Sequence, residues 1–370
     1  MASINLQGDT SGAITISAPS VAGTNTLTLP ATTQTLATQN ALGVRNLIIN
    51  GDMKIAQRGT SVTGKTTGGY FTVDRWTSSI GTAGTWTISQ DTDVPTGQGF
   101  SNSHKYDCTT ANASLSAGSE AAIIQMIEAQ NLQHLKFGTS SAEQLTVSFW
   151  VKSNKTGTYI FELYQWDDNR AISKSYTIDT ADTWEKKTIT IDADTTGVID
   201  NNNDKGFQCA WWIAAGSNNT SGTLQTSWGT LTSANRAVGQ VNLADSTSNY
   251  INITGVQLEV GDTATPFEHR PYDMELARCQ RYYEVLYSTS SLNYGVISCS
   301  GVISGWATWN FKVEKRALPT ASLGTTASWQ ISTPTTYLAT SGLNFGSGGT
   351  SFYTSTTGAS EIAHIASAEI

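Results

Sequence analysis

The chain has 370 residues, enough for two or three folded units in series. Only 14% of residues are charged and the net charge is −8, which excludes the basic stripe that a nucleic-acid surface needs. Eleven Trp, 13 Tyr and 10 Phe demand a packed interior and exclude uniform disorder, while abundant Thr and Ser, 33 Gly and only 7 Pro point to a β-rich protein.

After Asp9 no charged residue occurs until Arg45, and residues 1–45 read as an N-terminal arm. Ile14 and Ile16, then Leu27 and Leu29, recur at strand spacing, with Pro19 and Pro30 separating the runs. So few large apolar side chains cannot bury a core, so the arm is expected to be ordered by packing against other copies or another protein. Residues 46–272 read as one antiparallel β domain. Strand-like stretches recur at 85–90, 105–109, 121–127, 145–151, 158–166, 173–178, 185–191, 206–213 and 249–260, and Gly, Asn and Asp clusters such as 200–204 break them. That spacing fits a jelly-roll sandwich better than alternating strands and helices. A short helix is expected over 131–137. Asp273 can cap a helix, and Leu276, Cys279, Tyr283 and Leu286 follow at 3-4-3 spacing, predicting a connecting helix over 273–288. Residues 289–370 return to short strands and Gly/Ser/Thr turns, a smaller C-terminal β tip domain. The fold class is therefore all-β: extended arm, central antiparallel jelly roll, short helix, β tip.

Motifs that carry chemistry are missing. There is no GxSxG, HExxH, GxxxxGK[ST] or GxGxxG, and His104, His134, His269 and His364 are scattered. An enzyme is not expected. Cys108, Cys209, Cys279 and Cys299 lie far apart with no CxxC pair and read as reduced thiols from a reducing compartment. No run approaches 18 apolar residues, so no membrane insertion is expected, and the first residues show no secretion signal. The longest basic cluster, 312–316, is too short for nucleic acid.

Four stretches resemble bacteriophage tail-fibre and receptor-binding proteins that carry a jelly roll like a carbohydrate-binding module. They are the arm from Ile14 to Thr38, Asn46-Leu-Ile-Ile-Asn-Gly-Asp-Met to Gly59 with Asp74-Arg-Trp76, the strands Leu145–Ser153 and 184–191, and Val256-Gln-Leu-Glu-Val-Gly261 through Arg270-Pro-Tyr272 to Tyr283. The resemblance covers about residues 10–290. It implies a homotrimeric virion fibre assembled in the host bacterial cytoplasm, its arm held by other tail or fibre proteins and its C-terminus toward a host-surface glycan or receptor. Three-fold closure would give each arm two neighbours to pack against. The resemblance also admits one cofactor, a structural Ca²⁺ near the first and last jelly-roll strands, for which Asn50, Asp52 and Glu259 are the oxygen donors; three oxygens fall short of the usual six to eight.

Alternation assigns side chains to faces. Trp150, Glu162, Tyr164, Trp166 and Trp212 fall on the faces opposite the expected core, and Asp168 and Arg170 follow in a loop. A sugar ring needs a flat aromatic for its C–H face and directional donors for its hydroxyls, so these seven are the glycan-binding candidates. The alternative is that the aromatics pack beneath a loop, a helix or a neighbouring subunit. In the tip, Tyr294 and Trp306 are receptor-contact candidates, with burial at a trimer axis as the alternative. Glu162, Asp167 and Asp168 are also the carboxylates from which a polysaccharide depolymerase would draw an acid and a base. A purely structural virion part, a head fibre or fibre connector, is the competing reading from another class.

Overall fold

The computed structural model describes residues 3–7, 11–17, 45–285, 298–299, 305–309, 311–317, 320–323, 340–346, 349–354 and 364–369, with side chains over 45–285, 311–317 and 368–369. The chain divides into two compact units, Met1–Leu42 and Gly43–Ile370. In the first, β1 (Ser3–Gln7) and β2 (Ala13–Ser17) form an antiparallel hairpin that pairs Ile4 with Ile16 and Leu6 with Ile14. The Leu27 and Leu29 run lies outside the described residues.

The second unit begins with β3 (Ser61–Tyr70), β4 (Trp76–Asp91), β5 (Ser103–Thr110) and β6 (Glu120–Glu128). It continues through β7 (Leu145–Ser153), β8 (Gly157–Gln165), β9 (Arg170–Ile178), β10 (Glu185–Ile191), β11 (Lys205–Ala215), β12 (Gly229–Thr230) and β13 (Tyr250–Val260). These form one antiparallel path, β10-β7-β13-β5-β4-β6-β11-β8-β9-β12, with β3 beside β4. Strand β4 makes two layers out of that path. Its first half, Trp76 to Gly81, pairs with β6, and its second half, Thr85 to Asp91, pairs with β5. Between the halves Thr82 (φ 48°) and Gly84 (φ 79°) adopt left-handed backbone, and a side chain at Gly84 would strike the Thr110 carbonyl at 2.6 Å.

Alternation then fills the space between layers. Leu145, Val147, Phe149 and Val151 from one layer meet Phe207, Cys209, Trp211 and Ile213 from the other, all 0% exposed. The Trp211 ring lies 5.8 Å from Phe149, 4.9 Å from Phe161 and 5.5 Å from Trp76. Each such side chain contributes about 1.5–3 kcal/mol by leaving water. All nine predicted stretches are strands. Patterning misses β3, a mostly exposed edge strand of Thr, Gly and Lys, and the first half of β4. The helix expected over 131–137 is a 3-10 helix, Ala129–Leu135. A short α1 (Ser217–Thr220) follows β11.

The connecting helix needs correction. Helix α2 spans Tyr272–Gln280, with Pro271 rather than Asp273 at its cap and Asp273 in its first turn. Tyr283 belongs to β14 (Tyr283–Val285), so the 3-4-3 seam ends at Cys279, and Leu286 lies outside the described residues. The remaining strands are β15 (Ser298–Cys299), β16 (Gly305–Trp309), β17 (Thr320–Leu323), β18 (Thr340–Gly346), β19 (Gly349–Thr354) and β20 (His364–Ser367). They form a three-stranded sheet, β14-β20-β17, and a four-stranded sheet, β15-β16-β19-β18.

A buried clasp joins the opening segment of this unit to α2. Asn46 Oδ1 accepts from the Ile48 and Leu258 amides at 3.0 and 3.1 Å, and its Nδ2 donates to the Val256 carbonyl at 3.0 Å. The Arg270 guanidinium donates to the Ile48 carbonyl at 3.1 Å and pairs with Glu275 at 3.3 Å. Arg75, wholly buried, lies 3.4 Å over the Tyr282 ring, and Arg58 lies 3.5 Å over Tyr283. Glu369 pairs with both arginines. Burial opposes the charge on Arg75, but Glu369 together with Tyr282, Tyr70 and Cys279 outweighs it, so Arg75 holds its proton more firmly than usual. Lys315 pairs with Glu284, and Arg316 donates to the Ala368 and Asn203 carbonyls, each at 2.8 Å. The short basic cluster is thus part of the same framework. The two phrases most distinctive in the sequence are the two halves of one interlocked network.

Candidate functional site

On the outward face of β4, β6, β11 and β8, register lines up three rows of side chains. Ser79, Ala122 and Trp212 form one; Ile124, Ala210 and Glu162 the next; Met126, Gln208 and Tyr164 the third. The two alanines leave a hollow between larger neighbours. A cleft of about 330 Å³ opens over them, with Glu120, Tyr164, Trp166, Gln208, Trp212 and Arg236 among its lining. Trp166 is 38% exposed at its mouth, and its ring sits 4.9 Å from that of Tyr164, tilted by 52°. The Lys205 ammonium lies 4.4 Å from the Trp166 ring centre, a cation held over an aromatic face. The Tyr164 hydroxyl donates to Asn169 Oδ1 at 2.9 Å, which fixes the ring.

Beneath the cleft lies a charged lock. Glu162, 0% exposed, accepts from Arg236 Nε at 2.9 Å and Nη2 at 2.7 Å, and from Trp212 Nε1 at 3.2 Å. The Arg236 guanidinium therefore lies over the Trp212 ring, 5.1 Å from its centre, and covers it. Burial works against the charge on Arg236, but the Glu162 bridge and nearby Glu120 raise its hold on the proton. Burial likewise raises the Tyr164 phenol, with Arg236 pulling it down and Glu162 pushing it up. Glu120 itself accepts from the Ser79 hydroxyl.

Of the seven glycan candidates, Tyr164, Trp166 and Trp212 line the cleft and Glu162 supports it from below. Trp212 is only 2% exposed, so its ring is floor and not platform. Trp150 is on the non-core face, as alternation expects, but not at this cleft: it is half-buried on the outward face of β7, in the opposite layer, beside Lys186 and Thr254. Asp168 and Arg170 are also not in the cleft. Asp168 accepts from the Val198 amide at 2.6 Å, and Arg170 forks onto Asp194 at 2.6 and 3.0 Å, so both brace the loop that follows β10. Asp167 accepts from the Asp200 amide at 3.1 Å; burial raises its carboxyl, helped by the charges of Asp200, Asp168 and Asp204.

The three calcium candidates belong to separate networks. Asn50 Oδ1 accepts from the Ile55 amide at 3.0 Å, and its Nδ2 donates to the Ile55 and Asp74 carbonyls at 2.9 and 3.0 Å. Asp52 pairs with Lys54 at 2.9 Å. Glu259 accepts from Gln257 Nε2, from the Thr265 amide and from the Thr265 hydroxyl at 2.8, 2.8 and 2.6 Å. Donors already satisfied in this way do not fit a cation, and among the described residues no cluster of three His, Cys, Asp or Glu is placed to hold one. In the tip, Tyr294 lies outside the described residues. Trp306 lies on β16, paired in register with Ser298 and Tyr353.

Arg236, Gln208 and Glu120 line the cleft, and Lys205 lies over Trp166 at its mouth; the sequence reading nominated none of the four. Period-two alternation in β11 puts Gln208 on the face of Trp212, and the same alternation in β6 puts Glu120 on the face of Ala122, which pairs with Trp212. Arg236 sits in an irregular loop 74 residues from Glu162, a separation that no local spacing reveals.

The chain matches no protein-family model. It matches no curated protein either. Among solved structures it is similar to the enzymatically active domain of tailspike protein 4 of bacteriophage CBA120, at 13% identity and TM-score 0.31, over 58% of this chain and 21% of that one. It is similar to a putative sugar binding protein from Bacteroides thetaiotaomicron, at 12% identity and TM-score 0.30, over 59% and 100%. It is also similar to the family 11 carbohydrate-binding module of a Clostridium thermocellum cellulosomal cellulase, at 14% identity and TM-score 0.27, over 57% and 99%. This chain thus spans about a fifth of the tailspike's length.

Proposed function

We propose that the chain is a glycan-binding subunit of a virion fibre, a homotrimer that adheres to a host surface through the cleft on the outer face of β6, β11 and β8. One observation supports this above the others: an aromatic pair, exposed Trp166 and half-buried Tyr164, beside the amide, carboxylate and guanidinium of Gln208, Glu120 and Arg236 in one hollow. An apolar ring face and convergent polar groups are the two halves of sugar recognition. The phage-fibre resemblance of the two clasp phrases supports the virion setting.

Binding without hydrolysis is the better reading of the carboxylates. Glycosidic cleavage needs one carboxyl free to donate a proton and another free to attack or activate water. Glu162 is sealed under Arg236, and Asp167 and Asp168 hold backbone amides of the neighbouring loop. The reading is tested by binding full-length protein to host cells and to immobilised surface polysaccharide. Trp166→Ala is expected to lower that binding about tenfold or more, as loss of one aromatic contact should. Undiminished binding by the variant rejects the cleft, and release of reducing ends from the polysaccharide rejects a purely adhesive role.

A further inference from the structure

A second hollow, of about 170 Å³, lies between the opening segment, the end of β6, the 3-10 helix and α2. Leu47, Ile49 and Tyr282 supply apolar wall, and Asn131, His134 and Arg278 supply polar groups. The cations around it have partners, with one exception. Arg270 is bound to Glu275, Arg281 forks onto Glu128 at 2.9 and 2.9 Å, and Arg75 is held by Glu369. The Arg278 side chain forms no hydrogen bond or ion pair with any described residue, and its Nη1 is buried with no acceptor.

A donor withdrawn from water and left unpaired is costly, and a guanidinium more so. The carboxylates nearest in charge to Arg278 are Glu275 and Glu268. Both are committed elsewhere: Glu275 to Arg270 and the Asn50 amide, Glu268 to the Arg45 and Asn46 amides. The acceptor that completes Arg278 therefore comes from outside this network. A bare inorganic anion would leave the apolar wall unused. A chain of sugars would not fit, since the volume matches about six waters at roughly 30 Å³ each.

We propose that this hollow binds a single carboxylate-bearing sugar residue, a uronic acid, separate from the cleft. Arg278 clamps the carboxylate by its planar fork, the apolar wall takes the C–H face of the ring, and Asn131 and His134 at the rim meet hydroxyls. The choice of a sugar rests on the adhesin reading; the choice of a carboxylate rests on Arg278 alone.

The test is calorimetric titration of the full chain with glucuronic acid, glucose and acetate. Glucuronic acid is expected to bind about tenfold more tightly than either, the size of a charge-assisted hydrogen bond added to a ring contact. Arg278→Gln is expected to lose that tenfold, and Asn131→Trp, at an exposed rim position, to block the hollow with Arg278 intact. Melting and sedimentation of both variants establish that they fold and assemble. Glucuronic acid binding no better than glucose or acetate overturns the proposal. So does a wild type that ignores glucuronic acid while Arg278→Gln alters its assembly, which would give the guanidinium to a neighbouring copy's acid. Loss of polysaccharide capture in Trp166→Ala, with no glucuronic acid binding by wild type, removes this site and leaves the cleft reading standing.

Discussion

Trp166 and Arg236 illustrate how differently two cleft residues depend on the rest of the molecule. Trp166 is 38% exposed and packs chiefly on Tyr164 and Lys205, so its loss removes ligand contact without opening the core. Trp166→Ala should therefore melt close to wild type, within about 0.5–1 kcal/mol. Arg236 is the sole cation paired with fully buried Glu162 among the described residues, and Arg236→Gln leaves a carboxylate uncompensated. Denaturant unfolding should show a loss of about 3 kcal/mol. Adding Glu162→Gln should recover much of it, because the unpaired charge disappears. If the double variant is no more stable than Arg236→Gln, the bridge is not what holds the cleft floor. At this scale the sequence showed Tyr164, Trp166 and Trp212 by alternation alone. It could not show that Trp212 is capped, since the cap comes from a loop whose position depends on the finished fold.

Among the elements, the clasp around α2 makes a prediction of opposite sign to ordinary acid denaturation. Asp74 is buried, and that burial pushes its carboxyl up to about 6 against the pull of Arg58 and the Gln57 donors. The folded protein thus holds this proton more tightly than the unfolded chain, whose value is 3.8. Its contribution to stability is complete below about pH 4 and is lost as pH rises through 6. Asp74→Asn cannot titrate, so the advantage of wild type over the variant should shrink by on the order of 1–2 kcal/mol between pH 4 and pH 7. A difference that is flat over that range would mean that Arg58 keeps the carboxylate ionised throughout. Strand existence was legible here because period-two patterning is local: β10 runs from Glu185 to Ile191 as expected. The end of α2 was not, because Tyr283 continues a helical seam in sequence yet is recruited into a strand pair with Ser367, 84 residues away.

For the whole molecule, the arm carries the assembly reading. A chain beginning at Gly43 should sediment as a smaller species than the full-length protein, with the jelly-roll signals of near-ultraviolet circular dichroism unchanged, if residues 1–42 bring three copies together. Equal sedimentation would move trimer contacts into the second unit. The jelly-roll class could be read from composition and strand spacing, whereas the two-layer closure could not, because it depends on a single bend at Thr82 and Gly84 within β4. The strand pair β14 and β20 has a consequence of its own. The backbone departs for the tip beside the place where it comes home, with Tyr283 in register opposite Ser367, the Ala368 amide donating to the Tyr282 carbonyl at 2.6 Å, and Glu369 gripped by Arg58 and Arg75. Apart from Lys315 and Arg316, which reach back to Glu284 and the Asn203 carbonyl, what lies between those two points is a detour with a shared doorway. A lineage that kept those two anchors could lengthen, shorten or rewrite the rest of that detour, meeting new surfaces as it did so, with the near side of the doorway left as it is.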